Sequence, residues 1–175
     1  MLPIKPTDQP RVKPLLKMDL PPVCGNAALC HARLMSIKAS CLCGVVKVEL
    51  DQAPETFTVC HCDSCRRFSG GVAMSIPGGA NLTFDPEQVG RFTPEDSPWS
   101  ERGFCKTCGT SLFYRLKKTN HYFLYLGLFG SDIHPRFGSQ EYIDHKPESY
   151  NFVEETKTTT EAEGHELLKA YLARD

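Results

Sequence analysis

From Gly44 the chain runs GVVKVEL, with Val46, Val48 and Leu50 on one face and Lys47 and Glu49 on the other. Alternation with period two marks a half-buried strand. Short apolar runs recur at 56–60, 72–76, 80–84, 89–93 and 111–116, and a longer one spans 122–129. Between them fall Pro77-Gly78-Gly79, Asp85-Pro86, Thr93-Pro94 and Ser97-Pro98, residues whose backbone preferences make turns. Strands at this spacing, with no long periodic helix between them, predict an antiparallel, mostly β domain. A single helix is predicted at 161–174, where Leu167, Leu168, Tyr171 and Leu172 form one stripe. Residues 138–150 read as loop with a short strand at 141–143.

The length of 175 residues suits one domain with a sizeable core, and 41% hydrophobic and 10% aromatic residues describe a globular chain. A net charge of -1 argues against a general nucleic-acid binder, which is usually strongly basic. No stretch approaches the ~18 consecutive apolar residues of a membrane helix. Charge is nevertheless uneven. Residues 1–38 carry six basic and two acidic side chains, whereas 139–175 carry four basic and nine acidic ones. Six prolines in the first 22 residues block regular structure, so 1–35 reads as a Pro-rich, flexible extension. It lacks the apolar segment of a secretory peptide; its scarcity of acids leaves a mitochondrial presequence as an alternative. The organisation predicted is therefore an extension at 1–35, a β domain at 36–152 and an acidic tail with a helix at 153–175. The expected location is the cytoplasm or the nucleus, a reducing setting that keeps thiols free.

Nine cysteines change this picture, because seven of them stand in three tight clusters. These are Cys41-Leu42-Cys43-Gly44, Cys60-His61-Cys62-Asp63-Ser64-Cys65 and Cys105-Lys106-Thr107-Cys108-Gly109. Cysteines so spaced in a reducing compartment more often hold metal than form disulfides. Zinc takes four tetrahedral ligands, commonly thiolates delivered in pairs from tight turns. The first and third clusters each end in Cys-Gly and lead into a strand, and glycine tolerates the positive φ of a turn behind the second thiolate. Cys41, Cys43, Cys105 and Cys108 are accordingly paired as one closed, structural zinc site; four buried or disulfide-forming cysteines are the competing reading.

Cys60, Cys62 and Cys65 remain without a partner pair. In an extended segment Cys60 and Cys62 point the same way and His61 away, and a tight turn at Asp63-Ser64 returns Cys65 to them. Three protein ligands with an open fourth position are the mark of a catalytic or ligand-binding metal. A fourth protein ligand would close the site instead, and Cys24, Cys30, His31, His121, His134 and His145 are the candidates. Arg66 and Arg67 follow Cys65 directly and Arg102 precedes Cys105 by three residues; guanidinium groups here suit a substrate carboxylate or the negative charge of a trithiolate zinc. No phosphate-binding loop, dinucleotide fingerprint or hydrolase nucleophile elbow is present in the sequence.

The order CLCG-VVKVEL, CHCDSCRRFSGG, RGFCKTCGTSLFY resembles the glutathione-dependent formaldehyde-activating enzyme family, which also contains centromere protein V. The resemblance runs over about residues 36–152. It implies a mostly β, tent-like zinc fold with two zincs per chain, one on Cys41, Cys43, Cys105 and Cys108 and one on Cys60, Cys62 and Cys65. It also implies that the segment from Tyr142 through Pro147 to Tyr150 is the family's closing strand. The implied activity joins a small thiol, glutathione, to formaldehyde, formally a carbon–sulfur lyase run in reverse. On the reading of the residues themselves, Cys60, Cys62 and Cys65 form the catalytic centre and Arg66, Arg67 and Arg102 are the candidate substrate-binding residues. The rival reading is a non-enzymatic zinc scaffold or binding module. Neither reading calls for nucleic acid or a membrane.

Overall fold

The computed structural model describes residues 37–51, 54–79 and 82–173. The 1–35 extension, and with it Cys24, Cys30 and His31, lies outside the described residues, as do Ala80 and Asn81 of the run at 80–84.

The fold is mostly β. Strands β1 (Ile37–Ser40) and β2 (Lys47–Leu50) form an antiparallel hairpin. The large sheet contains β3 (Thr56–Cys60), β4 (Ala73–Gly79), β5 (Val89–Phe92), β6 (Ser100–Cys105), β7 (Ser111–Leu116), β8 (His121–Tyr125), β9 (Arg136–Glu141) and β10 (Lys157–Thr159), in the order β10-β9-β3-β4-β8-β7-β6-β5. It is antiparallel from β3 to β5, as expected, but β9 runs parallel to both β3 and β10. Two α-helices are present among the described residues: α1 (Asp63–Ser69) and α2 (Glu161–Leu172). Neither is long and apolar enough to cross a membrane.

Period two does set the hairpin's inner face: Val46, Val48 and Leu50 are buried while Lys47 is exposed. They join Ile76, Leu112, Phe113, Leu124 and Phe129 in one core, where each fully buried aliphatic or aromatic side chain contributes about 1.5–3 kcal/mol. Gly103 on β6 is a packing requirement, since a Cβ there would sit 2.2 Å from the Phe113 ring.

Several boundaries differ from expectation. The run at 122–129 is strand only to Tyr125, after which Leu126–Phe129 forms a 3-10 turn that tucks Leu128 and Phe129 inward. The short strand expected at 141–143 is instead the end of a longer one, β9, which carries a single large apolar side chain and so shows no alternation. Beyond it, Tyr142 adopts a left-handed conformation (φ 56°) and Ile143–His145 forms a 3-10 turn, so no closing strand runs from Tyr142 to Tyr150. Strand β6 gave no signal either, because Ser100, Glu101 and Arg102, three consecutive polar residues, are all buried in it beside Gly103 and Cys105. Glu101 accepts hydrogen bonds from Arg91 on β5 and Arg115 on β7, clamping β6 between its neighbours.

Helix α2 starts where expected, with a capping box between Thr160 and Glu163. Its stripe divides on docking: Leu168, Tyr171 and Leu172 are half-buried, whereas Leu167 is exposed.

Candidate functional site

Two turns of the same construction build the first cysteine group. After β1, the N–H of Gly44 donates to the Cys41 carbonyl (2.9 Å) with Gly44 at φ 75°; after β6, the N–H of Gly109 donates to the Cys105 carbonyl (2.9 Å) with Gly109 at φ 74°. Left-handed φ falls on both glycines behind the second cysteine of each pair, where L-residues are strained. Thr110 joins the two turns. Its Oγ1 accepts from the Leu42 N–H at 3.1 Å and lies 3.1 Å from Cys108 Sγ. The four sulfurs all lie within 4.8 Å of one another, with Cys41–Cys43 at 3.5 Å and Cys43–Cys105 at 3.8 Å.

Those separations suit a metal and not a disulfide. A disulfide needs about 2.05 Å, whereas zinc–thiolate bonds of about 2.3 Å place tetrahedral sulfurs roughly 3.8 Å apart. Ionisation in the group is graded. Hydrogen bonds from the Thr110 hydroxyl and amide pull Cys108 down to about 5. At Cys43 the Val45 amide favours the thiolate, but desolvation and the other three thiols prevail and push it up to about 12. Four thiols can be ionised together only beside a cation, which is what a soft divalent metal supplies.

The second group stands where β3 hands over to α1. Cys60 ends the strand, Cys62 is the N-cap of the helix, and Cys65 sits in its first turn. The Cys65 N–H donates to Cys62 Sγ at 3.4 Å, so the ligand cluster and the helix start are one structure. The expected turn at Asp63-Ser64 is in fact this helix, ended by Gly70 at φ 76°. The three sulfurs lie within 4.8 Å of one another and are half-buried. Hydrogen bonds from Cys60 and Cys65, aided by the Cys65 N–H and the Arg102 charge, draw Cys62 down to about 2 against its burial. The negative charge that results raises Cys60 and, together with burial, holds Cys65 up to about 12 despite its hydrogen bond with Cys60. This donor set also fits a soft cation. Among the described residues no histidine joins it: His145 is bonded to Glu161 at 3.1 Å, His121 packs on Phe123 and Tyr171, and His134 is exposed.

His61 points away from the thiols, as alternation requires. It is fully buried, with Nδ1 2.8 Å from the Tyr150 hydroxyl and Nε2 3.1 Å from Gln140 Oε1. Its N–H donates to the Glu141 carbonyl and its carbonyl accepts from Arg66 Nε. Gln140 and Tyr150 are therefore the supports of the Cys60-His61-Cys62 segment. No sequence motif marks them, because they arrive from 79 and 89 residues away.

The three arginines separate. At about 100° per residue, Asp63, Arg66, Arg67 and Gly70 fall on one side of α1 and Cys65 and Phe68 on the other. Arg66 pairs with Asp63, and the Arg67 side chain is 84% exposed. Both line a cleft of about 540 Å³ with Gly70, Pro147 and Tyr150, and none of the three cysteines borders it. Arg102 instead reaches the thiols, with Nη2 3.9 Å from Cys65 Sγ. Its guanidinium lies over the rings of Phe68 (6.0 Å) and Tyr114 (5.4 Å). The Ser111 hydroxyl, donating to the Phe68 carbonyl at 2.7 Å, ties that end of α1 to β7.

With this geometry in place, comparison with known proteins is informative. Residues 36–144 match the family described as glutathione-dependent formaldehyde-activating enzyme. A protein of Schizosaccharomyces pombe named as an uncharacterized lyase is 30% identical over 126 residues, covering 70% of this chain and 90% of its own. A crystal structure of a Rhodobacter sphaeroides protein shows 21% identity and a TM-score of 0.46, over 57% of this chain and 92% of that one. The chain belongs to the glutathione-dependent formaldehyde-activating enzyme family.

Proposed function

We propose that this family member is a zinc-dependent carbon–sulfur lyase-type enzyme that binds a small thiol, glutathione foremost, and forms or handles its formaldehyde adduct. One observation carries the reading: three half-buried thiols gather at Cys60, Cys62 and Cys65 with no fourth protein donor among the described residues. Cys41, Cys43, Cys105 and Cys108 hold the structural zinc; Cys60, Cys62 and Cys65 hold the second. A trithiolate zinc with an open position supplies a setting in which an incoming thiol stays ionised at neutral pH.

The chain's own residues do the rest. The β3–α1 junction presents the three sulfurs at fixed separation, and His61, Gln140 and Tyr150 keep that junction from shifting. In the addition, the thiol sulfur forms a bond to the aldehyde carbon, the carbon–oxygen π bond breaks onto oxygen, and the proton given up by the thiol is returned by water to that oxygen. Holding the partners side by side accounts for the acceleration. In this reading Arg66 and Arg67, which line the 540 Å³ cleft on the far side of α1, take a distal carboxylate of a long thiol such as glutathione.

Cys62→Ser tests the reading. The variant is expected to keep its fold and its structural zinc while thiol binding, followed by calorimetry, falls by more than about tenfold. A Cys62→Ser protein that binds glutathione as wild type does would overturn it.

A further inference from the structure

Arg102 is 4% exposed, yet its Nε and Nη1 groups have no hydrogen-bond partner among the described residues. Leaving buried donors unpaired costs free energy, more so for a charged group. The surroundings explain the position of the guanidinium without satisfying it. Phe68 and Tyr114 offer ring faces to the cation, and Cys65 Sγ stands 3.9 Å from Nη2. A ring face is at most a weak acceptor, and one distant sulfur leaves Nε and Nη1 without a partner among the described residues. The charge is thus anchored by its neighbours, with hydrogen-bonding capacity left over beside the thiol cluster.

We propose that Arg102 is an oxyanion-holding residue of the three-thiol centre: a donor left unpaired at its Nε or its Nη1 edge takes an anionic oxygen carried by the molecule bound at Cys60, Cys62 and Cys65. The inference rests on the thiol-binding reading above and adds a specificity to it. A guanidinium matches an anionic oxygen in charge and in donor geometry, and in a water-poor site such a contact is stronger than in solvent. Two sources carry that oxygen close to a bound sulfur: a carboxylate on the thiol itself, or the oxygen of the aldehyde the thiol adds to. Position in the fold favours Arg102 over Arg66 and Arg67 for this task, since only Arg102 lies on the cysteine side of α1.

The test compares mercaptoacetate with 2-mercaptoethanol, titrated into zinc-loaded wild type, Arg102→Gln and Arg102→Lys, and repeats the 2-mercaptoethanol titration with formaldehyde present. Zinc content and melting temperature are recorded for each protein. In wild type, mercaptoacetate binds at least about tenfold more tightly than 2-mercaptoethanol, or formaldehyde strengthens 2-mercaptoethanol binding by that factor. The first result assigns the oxygen to the thiol's carboxylate and the second to the adduct. Either preference, read as the ratio of the paired affinities within each protein, disappears in Arg102→Gln. Arg102→Lys, which keeps the charge and loses the Nε–H and Nη1–H donors, loses most of it too and stands in if the glutamine variant does not fold. A wild type that binds both thiols without either preference, or variants that retain the preference, would overturn the Arg102 assignment and leave the thiol reading intact. If neither thiol binds wild type, both fall.

Discussion

The two cysteine groups use the same sulfur chemistry at similar separations, yet they are built to opposite ends. In the four-thiol group every donor comes from a glycine-backed turn, and Thr110 straps one turn to the other. The chain meets the needs of that site by itself. The three-thiol group is assembled from a strand end and a helix N-terminus, is one donor short of a tetrahedron among the described residues, and faces a buried arginine with donors to spare. On the proposed function, the site completed by its own chain is the fastening and the one left incomplete beside unspent hydrogen-bonding capacity is the place for a guest. Strand β6 carries both Cys105 of the first group and Arg102, which stands beside the second, so one strand links the two.

The difference can be broken most severely at the fastening. Cys105→Ser is expected to unfold the domain at ordinary temperature, because structural zinc in small domains contributes on the order of 10 kcal/mol of folding free energy; circular dichroism against temperature reads this directly. A variant that melts like wild type would remove the distinction between the groups. Cys62→Ser, by contrast, is expected to reduce the zinc count from two to one by elemental analysis while the melting temperature shifts by only a few degrees.

A smaller effect is expected at Glu101, which clamps the shared strand. Burial acts to raise its pKa, but the Arg115 hydrogen bond and the charges of Arg91 and Arg115 outweigh this and hold the carboxyl below the usual range. A depressed folded-state pKa stabilises the fold above the unfolded value and is lost as pH falls through the folded one. Glu101→Gln should therefore cost about 1–3 kcal/mol at neutral pH and lessen the loss of stability in acid. Denaturant titrations at pH 7 and pH 4 check both parts, and an equal loss at the two would contradict the assignment. The smallest effect belongs to Thr110→Val, about 0.5–1.5 kcal/mol, from the lost acceptor for the Leu42 N–H. Its zinc count stays at two.

The sequence revealed the cysteine turns because a thiol pair closed by glycine is a local feature, complete within five residues. The hairpin face of Val46, Val48 and Leu50 was legible for the same reason. Helix α1 was not, since its N-cap is the sulfur of Cys62, outside the serine, threonine, aspartate and asparagine set that marks helix starts. Strand β6 escaped because its first three residues are polar yet buried, which makes sense only once Arg91 and Arg115 are beside Glu101. Neighbourhood in sequence is also not neighbourhood in space. Arg66 and Arg67 adjoin Cys65 in the chain but sit on the far side of the helix, whereas Arg102, 37 residues away, reaches its sulfur.

The most direct test of the central claim is native mass spectrometry of protein purified without oxygen, before and after addition of glutathione. The account predicts two zincs per chain, with glutathione adding to the ion or displacing one zinc while the other stays. Two zincs that millimolar thiol leaves untouched, with no added mass, would contradict it and make both groups fastenings.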